Sequence, residues 1–441
     1  MSGPPSTPPA SRREIFGWAM FDFANSSYTT VIVTVVYCVT FTRLVVGPGA
    51  DGGFELGNLL WSVALAVSYG LVVLTAPVLG AVMDYSAAKK KFLFASYLVT
   101  VLGTAALGLA GPGHYLWAML LLVVSNYGFA AGESFASSFL PDLGPREQLG
   151  RISGFAWGLG YFGGLTSTLL VMKLGAGDAT DFSRARWAGP ITAAFFLVAA
   201  IPTFLWLRER GRPRPLPPGE THLGIGFRRL AGTCRALGRF RDLAVFLVSM
   251  FFAMAGLAII VSFAFLYGDQ VLRWSDASRV WMFVLTQLTA AGGAMFFGWV
   301  QDRIGAKRTY QITLVWWLVC VLAIWQVERL AGWLPGGWSA ERLFLVLGCV
   351  AGAGIGAVQS AARAMVGILA PRSRAGEFFG FWGMSGKLAA IFGLVGFGLL
   401  QYRIGLRYAV LFCAALFLAA WLAALPVDEQ RGRATAETTE D

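Results

Sequence analysis

The sequence predicts an all-α membrane protein with twelve transmembrane helices in two parallel six-helix halves, and three observations carry that expectation. Charged residues make up 13% of the 441-residue chain and hydrophobic residues 56%, against ~25% charged in ordinary soluble domains. The shortage of charge is gathered into roughly twelve long apolar runs, each near the ~20 residues that cross a ~30 Å hydrocarbon core as a helix. None of the runs alternates polar and apolar residues, which excludes β-barrel spans. The third observation is an internal repeat. Gly80-Ala81-Val82-Met83-Asp84, followed by Lys89, Lys90 and Lys91, returns as Gly298-Trp299-Val300-Gln301-Asp302, followed by Arg303, Gly305, Lys307 and Arg308. Pro145-Arg146, Gly154 and Gly160 return as Pro371-Arg372, Gly380 and Gly386.

Residues 1–14, rich in Pro and Ser and ending in Arg12, Arg13 and Glu14, read as a disordered cytoplasmic tail. They are no cleavable signal, because the apolar run that follows is too long and carries Asp22. The N-terminal half occupies 15–207, with spans near 15–41, 57–82, 93–111, 115–140, 151–175 and 187–207. The C-terminal half occupies 243–427, with spans near 243–267, 279–300, 309–327, 342–369, 376–401 and 407–426, followed by a tail over 428–441. Between them, 208–242 is a linker with nine Arg, Pro-rich at its start. Its second part, with Phe227, Leu230, Cys234 and Leu237 at helical spacing among arginines, reads as an amphipathic helix on an anionic membrane surface. The tails and even-numbered connections hold 23 of the Lys and Arg residues and the opposite connections 10. That bias places both termini in the cytoplasm and the chain in a cell (inner) membrane.

Several function classes fall away on composition. The five cysteines are scattered without a C-x-x-C pair, and the two histidines, His114 and His222, sit in connections. No metal site and no cofactor are expected from them. A net charge of +11 is what positive cytoplasmic loops supply, so no nucleic-acid partner is inferred. There is no H-E-x-x-H, no Gly-x-Ser-x-Gly elbow and no P-loop. The chain is therefore not read as an enzyme, and movement of a substrate has to run on substrate or ion gradients.

The polar residues inside the spans are the site candidates. Asp22 is followed by Asn25, Ser26 and Thr29 on one face of the first span. Asn126, Ala130, Glu133 and Ser137 share a face of the fourth, and Gly352, Gly356, Gln359 and Arg363 repeat that spacing in the tenth. Lys387 lies in the eleventh. At ~1.5 Å per residue, Asp22, Glu133 and Arg363 sit about 10 Å in from the cytoplasmic side and Lys387 about 15 Å. Charges at that depth are functional candidates by default. Two readings stay open. Asp22, Glu133, Arg363 and Lys387 either form salt bridges that hold helices or close a gate, or they meet a zwitterion, with Arg363 facing a carboxylate through its planar fork and an acid facing an ammonium. A proton on Asp22 or Glu133 is a further option. The aromatics, Trp157, Tyr161 and Phe263 among them, are read mostly as packing.

The Gly-x-x-x-Asp segments with their basic turns resemble the signature loops of the major facilitator superfamily of transporters. The copy from Gly298 to Arg308 matches closely, while the first has Tyr85 and Ala87 where Arg and Gly are usual. The resemblance implies gating loops: Gly80, Asp84, Gly298, Asp302, Arg303 and Gly305 are expected to pair across the two halves when the cytoplasmic side is closed. Trp18-Ala19-Met20-Phe21-Asp22-Phe23-Ala24-Asn25-Ser26, the run from Glu377 to Lys387, and Gln359-x-x-x-Arg363 resemble the vacuole-effluxer group, with Ala362 standing where a Ser is expected before the Arg. That resemblance implies a secondary active exporter of amino acids or similar small metabolites. A proton-coupled drug or metabolite exporter is the alternative within transport, and a non-transporting membrane sensor the alternative outside it. The partners implied are a small-molecule substrate, protons in the coupled case, and membrane lipids. The oligomeric state is left open, with a monomer as the working unit.

Overall fold

The computed structural model describes residues 9–49, 52–178, 180–235 and 238–439. Twelve helices among them are long and apolar enough to cross a membrane. They are α1 (Arg12–Val46), α2 (Glu55–Ser86), α3 (Lys89–Leu109), α4 (Tyr115–Asp142), α5 (Arg146–Lys173), α6 (Phe182–Trp206), α7 (Arg241–Phe265), α8 (Ala277–Ile304), α9 (Ala306–Trp325), α10 (Ala340–Leu369), α11 (Arg372–Ile404) and α12 (Leu406–Ala424). Each lies within a few residues of its expected place. The expected tail falls mostly on residues 1–8, outside the described residues, and α1 already starts at Arg12, where Ser11 caps it by accepting from the Glu14 N–H.

Helices α1–α6 form one half and α7–α12 the other. The halves meet along two seams, α2 against α11 and α5 against α8. Small residues make the seams close. A Cβ on Gly80 would collide with the Gly376 carbonyl, and one on Gly154 with the Ala294 carbonyl. Backbones approach this closely only where side chains are absent, the usual solution for helices packed in lipid. The repeat visible in the sequence is a repeat of geometry: Pro145 and Pro371 each precede a 3₁₀ turn, Arg146–Gln148 and Arg372–Arg374, that opens α5 and α11.

An even number of crossings puts both ends of the bundle on one face, the termini face. Two further helices lie there, one after each half. The linker helix, His222–Arg235, packs on α2 with Ile225 and Gly226 buried, while Leu223 and Phe227 stay exposed. Leu237 of the expected amphipathic face lies outside the described residues. The C-terminal helix, Glu429–Glu437, packs on α10 and α7.

The two halves hold the segments that directly follow α6 and α12 in the same way. The Lys90 N–H donates to Glu209 Oε2 at 2.9 Å and its ammonium to the Leu207 carbonyl at 2.7 Å. In the other half, the Lys307 N–H donates to Glu429 Oε2 at 2.9 Å and its ammonium to the Leu425 carbonyl at 2.8 Å. Arg210 on Glu14 is matched by Arg431 on Asp242.

One local feature was not expected. Within α1, Tyr28–Val35 and Phe41–Val46 are π-helical, a rare form that recurs near functional sites. The first of these segments supplies Thr29, Thr30, Val33 and Thr34 to the central cavity.

Candidate functional site

Between the halves lies a cavity of about 380 Å³. Its floor is built from the charged residues of four spans, Asp22, Glu133, Arg363 and Lys387. From there its walls run away from the termini face to Thr34 of α1, Met282 of α8 and Phe344 of α10.

The four charges resolve into two ion pairs, and both cross between halves. Arg363 Nη1 donates to Asp22 Oδ2 at 2.6 Å. Its other two nitrogens also donate, Nε to Ser153 Oγ at 3.1 Å and Nη2 to the Ser153 carbonyl at 3.0 Å. The guanidinium carbon lies 4.8 Å from the Trp18 ring and 5.2 Å from the Trp157 ring, within cation–π range of both. Trp18 is itself fixed by an indole N–H donated to the Ala136 carbonyl at 2.7 Å. The second pair is looser. Lys387 Nζ donates to Glu133 Oε2 at 3.2 Å, with the Tyr69 and Phe129 rings at 5.3 and 5.7 Å.

Exposure separates the two cations. The Arg363 side chain is 1% accessible and Lys387 is 16% accessible, while the acids Asp22 and Glu133 are 14% and 22% accessible, so a molecule in the cavity meets an open cation only at the second pair. Around them are groups with unused capacity. Among the described residues, Asn25 Oδ1 and the Trp157 indole nitrogen are buried without a hydrogen-bond partner, and both residues line the cavity. Gln359 also lines it, with the Tyr161 hydroxyl 3.4 Å from its Oε1.

One expectation about this region needs correction. Asn126 is not a cavity residue: it is fully buried and donates to Ser68 Oγ of α2 at 2.8 Å. It shares a helix face with Glu133, but two turns farther along, that face meets α2 rather than open space. Gly352 and Gly356 admit another helix, α8, since a Cβ on either would strike Thr289 or the Ala290 carbonyl.

On the termini face the two acids of the Gly-x-x-x-Asp segments each contact a helix of the opposite half. Asp84 accepts from the Gly376 and Glu377 N–H groups, both at 2.9 Å, in the first turn of the α11 helix. Asp302 accepts from the Arg151 N–H at 3.2 Å in the first turn of the α5 helix and faces Arg151 Nε at 3.7 Å. Each acid thus caps the N-terminus of a helix in the opposite half, where free N–H groups and the helix dipole favour an anion. Gly80 and Gly298 sit one turn before these acids and let the backbones touch.

The basic residues do otherwise than expected. Lys89 pairs with Asp142 at 3.0 Å within its own half, and Arg303 stacks 3.5 Å over Trp299 of its own helix instead of crossing. Gly305 takes φ +94° at the turn into α9, and Ala87 takes the equivalent turn at φ +49°.

Ser153, Gly150 and Gly376 were not singled out beforehand. Gly150 and Gly376 differ by the same 226 positions as Pro145 and Pro371, so the repeat held the signal that could have found them.

Two six-helix halves around a central cavity with a charged floor, each half carrying a Gly-x-x-x-Asp segment that contacts the other, define a membrane transporter of the major facilitator type. The structure of the human organic anion transporter MFSD10 (TETRAN) has this fold, with a TM-score of 0.71 at 15% identity, over 95% of this chain and 100% of that one. The family described as "Vacuole effluxer Atg22 like" matches residues 60–437, and the chain belongs to it. An uncharacterized MFS-type transporter of Bacillus subtilis (strain 168), YxiO, is 27% identical over 85% of each chain. Autophagy-related protein 22 of Yarrowia lipolytica is 25% identical over 73% of this chain, which spans 57% of that protein.

Proposed function

We propose that the chain exports small zwitterionic metabolites, amino acids with apolar side chains foremost, across a cell membrane by alternating access. The observation that carries this reading is the accessible Glu133–Lys387 pair at the cavity floor, an acid and a base already 3.2 Å apart and reachable from the cavity. A zwitterion entering there exchanges partners with them: its ammonium meets Glu133, with Asn25 Oδ1 as a neutral acceptor, and its carboxylate meets Lys387, with the Trp157 N–H as a second donor. No new charge is buried, so the desolvation cost stays low. The walls beyond the floor, including Ile259, Ile260, Phe263 and Phe397, are apolar and suit an aliphatic or aromatic side chain.

The Asp22–Arg363 pair is assigned a different task. With its donors engaged by Asp22 and Ser153, Arg363 acts as a lock between α10 and the N-terminal half. The bias of Lys and Arg toward the termini face supports a cytoplasmic placement of both ends. The state with that face closed is then outward-facing, the one from which an exporter releases its load. Coupling to protons rests with Glu133, whose counterpart in the repeat is the neutral Gln359.

The test is transport by the purified chain in proteoliposomes against a panel of labelled amino acids, with and without a pH gradient. Expected is movement of apolar amino acids, competed by the free zwitterion but not by its ester or its decarboxylated amine. Proton coupling through Glu133 requires that Glu133→Gln abolish the response to the pH gradient while substrate-for-substrate exchange survives. Equal competition by esters and amines would remove the zwitterion reading and leave the alternative of a proton-coupled exporter of other metabolites.

A further inference from the structure

Away from the central cavity, a crevice of about 800 Å³ opens on the outer side of the C-terminal half. Its walls come from α9, α10 and α12, with Ile312, Val315, Val319, Val350 and Trp421 along its length and Arg308 at one end. Ile312, Val315 and Val319 are exposed on a helix whose surroundings are hydrocarbon, so the crevice faces lipid and not water. The Trp316 indole N–H donates to the Val350 carbonyl at 3.0 Å, which holds α9 and α10 at a fixed spacing behind it.

The dimensions and the charge both point to one occupant. Arg308 is the third residue of α9, at the termini face, and Val319 lies eleven residues deeper, 319 minus 308. At ~1.5 Å per residue the crevice descends about 16 Å, one leaflet's share of a ~30 Å core. Its neighbours on the same turn are engaged: Lys307 donates to the Leu425 carbonyl, and Arg303 stacks on Trp299. Arg308 is exposed and, among the described residues, has no hydrogen-bond or ion-pair partner. A free guanidinium at the membrane surface above an acyl-length apolar slot matches a phosphate attached to a hydrocarbon chain. We propose that this crevice binds one anionic phospholipid, its acyl chain between α9, α10 and α12 and its phosphate on Arg308.

The site is confined to the C-terminal half, so an occupant binds in both the inward- and outward-facing states and braces that half as a single body. The proposal is independent of which substrate the central cavity takes.

Native mass spectrometry of the purified full chain, exchanged from nanodiscs of dioleoyl phosphatidylglycerol or dioleoyl phosphatidylcholine, reads the site directly. The wild type is expected to keep one phosphatidylglycerol at least ~tenfold in preference to phosphatidylcholine, and to gain thermal stability from it. Arg308→Gln should abolish the preference, Arg308→Lys should keep part of it, and Val315→Trp, which fills the slot, should lose both lipids with Arg308 still present. An equal preference in wild type and Arg308→Gln would overturn the proposal. So would stabilisation by inorganic phosphate alone equal to that by phosphatidylglycerol, because a free anion site needs no chain.

Discussion

Arg363 and Lys387 are both cations inside a membrane, yet their surroundings assign them opposite sensitivities. Arg363 has five contacts in fixed directions, to Asp22, the Ser153 hydroxyl, the Ser153 carbonyl and the two indole faces. A lysine there reaches one acceptor and leaves the rest unpaired. Arg363→Lys should therefore lower stability and turnover, with substrate affinity changed by less than about threefold, under ~1 kcal/mol. Lys387→Gln should weaken binding at least ~tenfold, about 1.4 kcal/mol, with little loss of stability. Binding measured by calorimetry or scintillation proximity, set beside thermal unfolding, separates the two; the reverse pattern would exchange the assignments.

Ala87 gives a second test at this scale. It holds a left-handed turn that costs a non-glycine residue roughly 1–2 kcal/mol. Ala87→Gly recovers that cost and gives back about 0.4–1 kcal/mol in unfolded-chain freedom, so the midpoint of unfolding should rise slightly. Ala81→Gly, buried in the last two turns of α2, should lower stability by about 0.5–1 kcal/mol. A fall of the same size in both would show that the turn at Ala87 carries no strain.

Among the elements, the glycines of the seams and the helices that follow each half set which face is closed. Gly376→Ala puts a methyl group against the Gly80 carbonyl and Asp84, contacts made only while the termini face is shut. Single cysteines placed along α2 near that face should become more accessible to aqueous reagents in the variant. Unchanged labelling would mean that the helices separate without opening. The C-terminal helix reaches across as well, from its anchor on Asp242 to Glu147 and Arg146 of the other half through Arg433 and Glu437. Arg433→Ala should shift the same labelling in the same direction but less, since both partners are partly exposed and such pairs contribute ~1 kcal/mol or less.

The spans, the halves and the two acids that meet the opposite half were legible in the sequence because each depends on local pattern: run length, repeat offset and a fixed motif spacing. Which charge meets which was not, since helical spacing assigns a residue to a face without saying what stands opposite. Asn126 shows this. Its spacing from Glu133 is right for one face, yet over about 10 Å of rise that face passes from the cavity onto α2. The stacking of Arg303 on Trp299 was open to inference, since they are four apart on one helix, and the capping of opposed helices by Asp84 and Asp302 leaves that cation nothing to neutralise across the seam.

For the whole molecule, both floor pairs and both acid caps join one half to the other, so the empty carrier with its termini face closed is held by bonds that must all break before it turns. Under the function proposed above, a bound zwitterion replaces the Glu133–Lys387 bond with contacts of its own and travels with them. Return of the empty protein is then the slow half of the cycle. Flux should show trans-stimulation: unlabelled substrate on the receiving side accelerates the exit of labelled substrate, by a factor that collapses toward one in Lys387→Gln. The same bonds that close the termini face would thus make this protein, kinetically, an exchanger before it is a pump.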